Sequence, residues 1–294
     1  MRERSDLPLV TGASGRLGRA LEAAAARRCP GAIFATRDEI DVTDRWRVEA
    51  EFERIRPAVA VNTASFTHVD GCEDDPDRAD EVNHLGAGNV ARAARLCGAH
   101  LIQISTDLVF DGGLDRPYTE EDRPNPLSVY GRSKHEGERA VLEECPRATI
   151  VRAAWFFGEG AGKFPENFLS MIERGERIGL VADRFGSPTY LPDLAEAVLR
   201  LIPIRHEGIL HFTNPGGRTT RYHFIRRAAE MLGLDLSSLE ALSHTRWAGD
   251  RAPRPLNSSL DPSRFARVTG WTPRTWEEAL DAYLRSRRSE RARP

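Results

Sequence analysis

The segment Leu7-Pro8-Leu9-Val10-Thr11-Gly12-Ala13-Ser14-Gly15-Arg16-Leu17-Gly18-Arg19-Ala20-Leu21 decides the fold. A short apolar run, Leu7 to Val10, feeds a turn carrying Gly12, Gly15 and Gly18, and a helical pattern follows with Leu17, Leu21 and Ala24 on one face. Strand, glycine turn, helix is the order a dinucleotide site needs. Glycines let the backbone turn tightly and approach a pyrophosphate, and the helix N-terminus offers free N–H groups and the positive end of its dipole. The spacing is G-x-x-G-x-x-G rather than the G-x-G-x-x-G of the standard fingerprint. The plain alternative is an ordinary strand–helix turn with packing glycines.

The same alternation continues outward. Ala32 to Ala35 reads as a second strand, Trp46 to Ile55 as a helix ended by Pro57, and Ala58 to Asn62 as a buried third strand. Asp80 to Leu96 reads as a helix, Leu101 to Ser105 as a fourth strand, Pro117 to Pro126 as a proline-rich loop, Ser128 to Glu144 as a helix and Thr149 to Val151 as a fifth strand. This pattern predicts an α/β fold, a Rossmann-type doubly wound parallel sheet with right-handed crossovers. Ligands of such sheets bind beyond the carboxyl ends of the strands. Asn62 to Thr67, Ser105 to Asp107 and the glycine turn all fall at such ends, so three motifs converge on one crevice.

After residue 152 the pattern loosens. Gly158 to Gly162 reads as a flexible glycine-rich stretch, Phe164 to Glu173 as a helix, Leu180 and Val181 as a short strand, and Leu191 to Leu201 as a helix. Gly208 to Phe212 reads as the last strand of the main sheet and Trp276 to Leu284 as a closing helix. The expected division is a dinucleotide-binding unit of residues 1–152 and about 176–214, a smaller C-terminal substrate-binding lobe of about 153–175 and 215–286, and a disordered tail, 287–294.

Chemistry enters at Tyr130-Gly131-Arg132-Ser133-Lys134. Residues i and i+4 share a helix face. An ammonium beside a phenol favours the phenolate, so the Tyr130 pKa is expected to fall toward neutrality. Such a phenol exchanges a proton with a carbonyl oxygen, and the Thr106 hydroxyl can hold the same oxygen. Tyr-x-x-x-Lys alone is common on surface helices; the glycine turn upstream gives it weight. For Thr106 the plain alternative is a hydroxyl capping its own strand end.

Composition excludes several classes. Lys+Arg total 42 and Asp+Glu 44, a net charge of −2, which gives no broad field for nucleic acid or an anionic membrane. No apolar run approaches a membrane span, and Met1 to Asp6 lacks a signal-peptide core. Cys29, Cys72, Cys97 and Cys145 form no C-x-x-C, and the eight histidines are scattered, so no metal site is expected. Packed, reduced thiols in a cytoplasmic enzyme are the reading. No internal repeat is visible, and monomer and homodimer both stay open.

The segments T-G-A-S-G-R-L-G, V-N-T-A-S-F-T-H-V-D-G-C-E, S-T-D-L-V-F-D-G, P-L-S-V-Y-G-R-S-K-H-E-G-E, R-A-A-W-F-F-G-E-G, D-R-F-G-S-P-T and R-P-L-N-S-S-L span nearly the whole chain. Through them the sequence resembles the extended short-chain dehydrogenase/reductases, and within these the dTDP-4-dehydrorhamnose reductase family. The resemblance implies NAD(P)H-dependent reduction of a nucleotide-linked 4-keto sugar, dTDP-4-dehydro-L-rhamnose going to dTDP-L-rhamnose. It implies Thr106, Tyr130 and Lys134 as the catalytic set, with Asp107 and Trp155 on the sugar nucleotide. Cofactor contacts are implied at Gly15, Arg16, Leu17, Asp41, Val42, Ser65, Phe66 and Thr67. Leu108 stands where the family usually carries Tyr beside the substrate, Phe66 replaces a polar residue and Phe157 a common Tyr, which leaves the sugar open. For Trp155 a core aromatic is an equal alternative. Arg254 is a candidate diphosphate clamp or a solvated loop charge.

Cofactor choice is read at the second strand's end, Ala35-Thr36-Arg37, where an acid would select NAD and an arginine accepts a 2′-phosphate. Arg37, with Arg16 approaching from the glycine turn, favours NADPH, with NADH usable; Asp38 and Glu39 oppose this by swinging in or neutralising Arg37. Rival readings are an epimerase or another keto-sugar reductase on this scaffold, a non-catalytic nucleotide-binding regulatory subunit, and a plain structural α/β domain.

Overall fold

A computed structural model of the chain describes residues 7–158 and 164–291. Six parallel strands form the central sheet: β1 (Leu9–Thr11), β2 (Ile33–Ala35), β3 (Val59–Asn62), β4 (His100–Thr106), β5 (Thr149–Ala153) and β6 (Gly208–Phe212), in the order β2-β1-β3-β4-β5-β6. Helices cover both faces. Side chains alternate across a strand, so Val10, Val61, Ile102 and Val151 pack under α1 (Arg16–Arg28) and the helix Leu191–Ile204. Their neighbours Leu9, Ala60, Leu101 and Ile150 pack under α2 (Arg45–Ile55), α3 (Gly86–Cys97) and α4 (Val129–Glu144). The winding reverses between β1 and β3, and the crevice beyond their carboxyl ends is where such sheets bind ligands.

The stretch expected as one helix from Asp80 to Leu96 is three pieces: an α-turn Pro76–Asp80, a π-helical turn Glu81–Leu85, and α3. The wide turn carries Asn83, whose buried amide uses its full bonding capacity. Its Oδ1 accepts from Ser65 Oγ (2.7 Å) and Phe66 N (2.8 Å), and its Nδ2 donates to the Phe66 carbonyl (3.1 Å) and Ser133 Oγ (3.0 Å). Asn83 thereby ties the loop after β3 to helix α4. Two glycines let α4 lie directly on backbone: a Cβ on Gly131 would stand 2.2 Å from the Leu108 carbonyl oxygen, and one on Gly137 would stand 2.1 Å from that of Asn83. Ser128 caps the helix by accepting from Gly131 N at 3.1 Å.

A second apolar cluster gathers Phe157, Leu169, Ile172, Phe224, Ile225, Trp276, Leu280 and Tyr283. It joins the helices Glu166–Glu173, Arg221–Leu232 and Trp276–Arg291. The strand Ile178–Val181, expected within the dinucleotide-binding unit, instead pairs with Leu239–Leu242 and buries Ile178 and Leu180 in this cluster. The closing helix continues to Arg291, over most of the tail expected to be disordered. The glycine-rich stretch expected at Gly158 to Gly162 lies, from residue 159 on, outside the described residues, as do residues 292–294 of the tail.

The glycine contacts make a direct test. Gly137→Ala should destabilise the protein by about 1–3 kcal/mol, because the added methyl meets a carbonyl that is itself locked by the Asn83 network. Gly88→Ala, whose Cβ would meet only the Ala140 methyl at 3.5 Å, should be neutral or stabilising. Denaturant unfolding of both variants checks this; equal effects would sink the close-approach explanation.

Candidate active site

The carboxyl ends of β1, β3, β4 and β5 open onto one cavity of about 710 Å³. Gly15, Arg16 and Leu17 reach it from the start of α1, Ser65 and Thr67 from the loop after β3, and Thr106, Asp107 and Leu108 from the end of β4. Tyr130 and Lys134 reach it from α4, Trp155 from beyond β5, and Arg254 from the C-terminal part.

The glycine turn has the shape that a pyrophosphate requires. Gly12 holds a left-handed φ of 74°, and a Cβ there would lie 2.6 Å from Ala64 N. A Cβ on Gly18 would lie 2.5 Å from the Ala13 carbonyl oxygen, so α1 sits tight on the turn. The N-cap of α1 is Gly15, with no side-chain cap, which leaves the first N–H groups of the helix facing the crevice for an anion.

Thr106, Tyr130 and Lys134 meet on the cavity wall, all buried. The Thr106 hydroxyl accepts from Leu108 N at 3.2 Å, the capping role expected of a strand-end threonine, and donates to Asp107 Oδ1 at 3.0 Å. Lys134 Nζ donates to the Ile104 carbonyl at 2.8 Å. The expected fall of the Tyr130 pKa does not occur. Burial drives it above the ordinary tyrosine value, and hydrogen bonding with Thr106 and Ser65 only partly offsets that. Withdrawing a phenolate from water costs more than this arrangement returns. Burial also lowers Lys134 to about 8, opposed by Glu138. Asp107 is pushed up to about 6 by burial, against hydrogen bonding from Ser258 and Thr106.

A smaller cavity of about 60 Å³ adjoins, and Leu108, Trp155, Arg221 and Arg254 belong to the walls of both. Trp155 holds φ at 42°, a conformation that costs a non-glycine residue about 1–3 kcal/mol and concentrates at functional sites. Its indole lies so close over Gly186 that a Cβ there would stand 2.4 Å away. Arg254 is no solvated charge: its Nη2 donates to Asp70 Oδ1 at 2.9 Å, and the same carboxylate accepts from Ala252 N at 3.0 Å. Arg251 pairs with Asp74 at 2.6 Å. The short helix Val69–Asp74 therefore latches the loop that carries Arg254.

Other expected residues stand off the cavity wall. Gly12 and Gly18 shape the turn from behind. Val42 is buried against α3, where Asn89 donates to its carbonyl at 3.0 Å. Phe66 is held by its backbone to Asn83, with the Arg78 guanidinium 4.9 Å over its ring. Arg37 is largely exposed and pairs with Asp41 at 3.0 Å rather than with Asp38 or Glu39; Glu39 turns back onto Thr36 N at 2.8 Å. Sequence reading missed Asn83, Phe164, Asn167, Phe168 and Arg221. The Thr220 cap, which accepts from His223 N at 3.2 Å, marked the helix that begins at Arg221. Among the described residues no group of His, Cys, Asp and Glu forms a metal site, and no helix is long and apolar enough to cross a membrane.

The latch has a measurable consequence. Asp70→Ala removes a half-buried charged partner from Arg254 and from Ala252 N. Charged hydrogen bonds contribute about 1.5–3 kcal/mol, so amide exchange at Ala252 should accelerate about 10- to 100-fold while the β4 amides stay protected. Unchanged exchange at Ala252 would show that the loop is held by other contacts.

Comparison with known proteins bears on the same residues. Residues 8–289 match the RmlD substrate binding domain family. The chain is 37% identical over 281 residues to the spore coat polysaccharide biosynthesis protein SpsK of Bacillus subtilis, covering 96% of this chain and 98% of that one. It is 39% identical over 296 residues to a dTDP-4-dehydrorhamnose reductase of Mycobacterium tuberculosis, covering 97% and 94%. The crystal structure of dTDP-4-dehydrorhamnose reductase from Bacillus anthracis in complex with NADP superposes with a TM-score of 0.89 at 31% identity, covering 97% of this chain and all of that one. A match of this extent, over a sheet and cavity of this arrangement, shows that the chain belongs to the RmlD substrate-binding-domain family.

Proposed function

We propose that the protein uses NADPH to reduce the 4-keto group of a nucleotide-linked sugar, with dTDP-4-dehydro-L-rhamnose as substrate and dTDP-L-rhamnose as product. One observation carries this reading. Thr106, Tyr130 and Lys134 share a single cavity with the glycine turn at one end and an arginine-bearing slot at the other. The names of the relatives and the NADP in the Bacillus anthracis structure support it. A regulatory subunit would not need the three groups together.

Gly15, Arg16, Leu17, Ser65 and Thr67 would hold the dinucleotide, which when bound supplies a hydride to the keto carbon. Tyr130 donates the proton that the carbonyl oxygen gains, and Thr106 holds that oxygen. The raised Tyr130 pKa suits this direction, because the reduction needs the phenol protonated at the start. Lys134 spends one of its three donors on Ile104 and has others for the cofactor's ribose. Arg221 and Arg254 present guanidinium forks to the diphosphate, and the slot lined by Trp247 and Phe185 takes the base. The smaller lobe, which supplies Phe164, Asn167, Phe168 and these arginines, is the substrate-binding part. Leu108, on both walls, favours a second reading in which a different 4-keto sugar is the preferred substrate. We read the enzyme as cytoplasmic.

Cofactor oxidation measured with a panel of nucleotide-linked 4-keto sugars tests the assignment. Tyr130→Phe should lower kcat by about 10²–10⁴-fold with the fold and cofactor affinity preserved. Turnover within a few-fold of wild type would remove Tyr130 as the proton donor.

NADPH preference rests on Arg37 and Arg16. The Arg37–Asp41 pair is exposed and weakly held, so the guanidinium is free to turn to a 2′-phosphate. Arg37→Ala should cut the NADPH/NADH ratio of kcat/KM by about 10-fold or more, the loss of one charge-assisted hydrogen bond. A ratio that stays put would show that Arg37 plays no part in the choice.

A further inference from the structure

Behind the catalytic residues lies a charged pair to which the reaction assigns no task. Arg152 is 1% exposed, and its Nε and Nη2 donate to Glu138 at 2.7 and 2.6 Å. Strand register sets Arg152 between Ser105 of β4 and His211 of β6, so the three side chains form a row on one face of the sheet. Ser105 Oγ donates to Glu138 Oε1 at 2.6 Å. Tyr130, Lys134 and Glu138 are spaced i, i+4, i+8 along one face of α4. Helix and strand are thus joined by two rungs, Lys134 to the Ile104 carbonyl and Glu138 to Ser105, immediately before Thr106.

Stability does not explain the pair, because apolar residues of equal volume usually serve a core as well as a buried ion pair. The choice of cation is also telling. Of the chain's 42 Lys and Arg residues only Lys134 and Lys163 are lysine. Arginine at 134 would always be charged, whereas a lysine's charge answers to its surroundings.

We propose that Glu138, clamped by Arg152 and Ser105, is a positioning residue for Lys134: its carboxylate stands one helical turn from the ammonium and keeps it charged, while its bond to Ser105 locks α4 against the strand carrying Thr106. The proposal rests on the reading of Lys134 as a member of the catalytic set. Tyr130, His135 and Glu138 share its helix; Asp107 at the end of β4, Cys72 on the helix Val69–Asp74 and Arg16 on α1 act on Tyr130, while Arg152 on β5 and His211 on β6 face Glu138. Of these, Glu138 is the charge that raises Lys134 against its burial. Burial alone would raise Glu138, but the charge and hydrogen bonds of Arg152 hold it well below the usual carboxylate range. Lys134 therefore keeps its proton up to about pH 8; without the carboxylate it loses it at lower pH.

Lysine labelled with ¹³C places just two residues in the NMR spectrum, and Lys163→Arg assigns them. In Glu138→Gln the Lys134 titration midpoint should drop by about one pH unit or more, and the basic limb of the pH–rate profile should move with it. An unmoved midpoint overturns the proposal. Because Glu138→Gln strands a buried guanidinium at a cost to folding, Glu138→Gln/Arg152→Met, which removes both charges, is titrated in parallel. It should show a drop in the same direction but smaller, because removing Arg152 also removes a positive charge that disfavours the ammonium. A midpoint at or above wild type in the folded double variant, with the single variant also unmoved or unfolded, overturns the proposal. The titration needs no substrate, so a moved midpoint with no turnover on any keto sugar would leave the positioning role standing and remove the reductase reading.

Discussion

Helix α4 approaches its neighbours more closely than any residue with a Cβ would permit. Gly131 rests on the Leu108 carbonyl and Gly137 on that of Asn83, so the helix has no freedom to slide or roll. Lys134 lies between these two contacts, and Tyr130 immediately precedes the first. The π-helical turn that presents Asn83 also uses that residue's side chain to anchor the loop bearing Ser65 and Phe66. Backbone contact, rather than side-chain packing, thus brings the phenol, the strand-end hydroxyl and the loop after β3 onto one wall. A van der Waals stop is stiffer than an apolar contact, which deforms by rotamer changes.

Burial acts on the two titrating groups of α4 in opposite senses. It disfavours charge, so it keeps Tyr130 neutral while pressing Lys134 to give up its proton. A neutral phenol has a proton to give, and a charged amine has three donors to offer. The first is a phenol's ordinary state, which burial reinforces, whereas the second needs a compensating anion nearby.

The sheet, its order of strands and helices, and the convergence of three motifs on one crevice were legible in the sequence, because each rests on local periodicity. Leu9 and Val10 face opposite layers, and the glycine turn follows at once. Tyr130 and Lys134 were legible for the same reason, four residues apart on one helix. What stayed hidden depends on groups distant along the chain. The direction of the Tyr130 shift follows from burial, which spacing does not show. Asn83 sits in a stretch that reads as an ordinary helix, and its π-helical turn makes sense only beside Ser65, Phe66 and Ser133. Arg37 took Asp41 as partner because the intervening turn aims Glu39 back at Thr36. Residues 178–181 pair with a strand some sixty positions away, at Leu239–Leu242, and pack with the second apolar cluster.

The latch between the helix Val69–Asp74 and the loop at Arg251 and Arg254 joins residues 177 and 184 positions apart. Synthesis runs from the N-terminus, so Tyr130, Lys134 and the glycine turn leave the ribosome long before the residues that close the wall over them. A nascent chain displaying β1 to β5 already carries these residues but lacks β6 and the Arg254 loop. The cavity wall is therefore completed only when translation is almost finished, and a message truncated before residue 250 yields a chain in which Asp70 and Asp74 have lost the partners that close it.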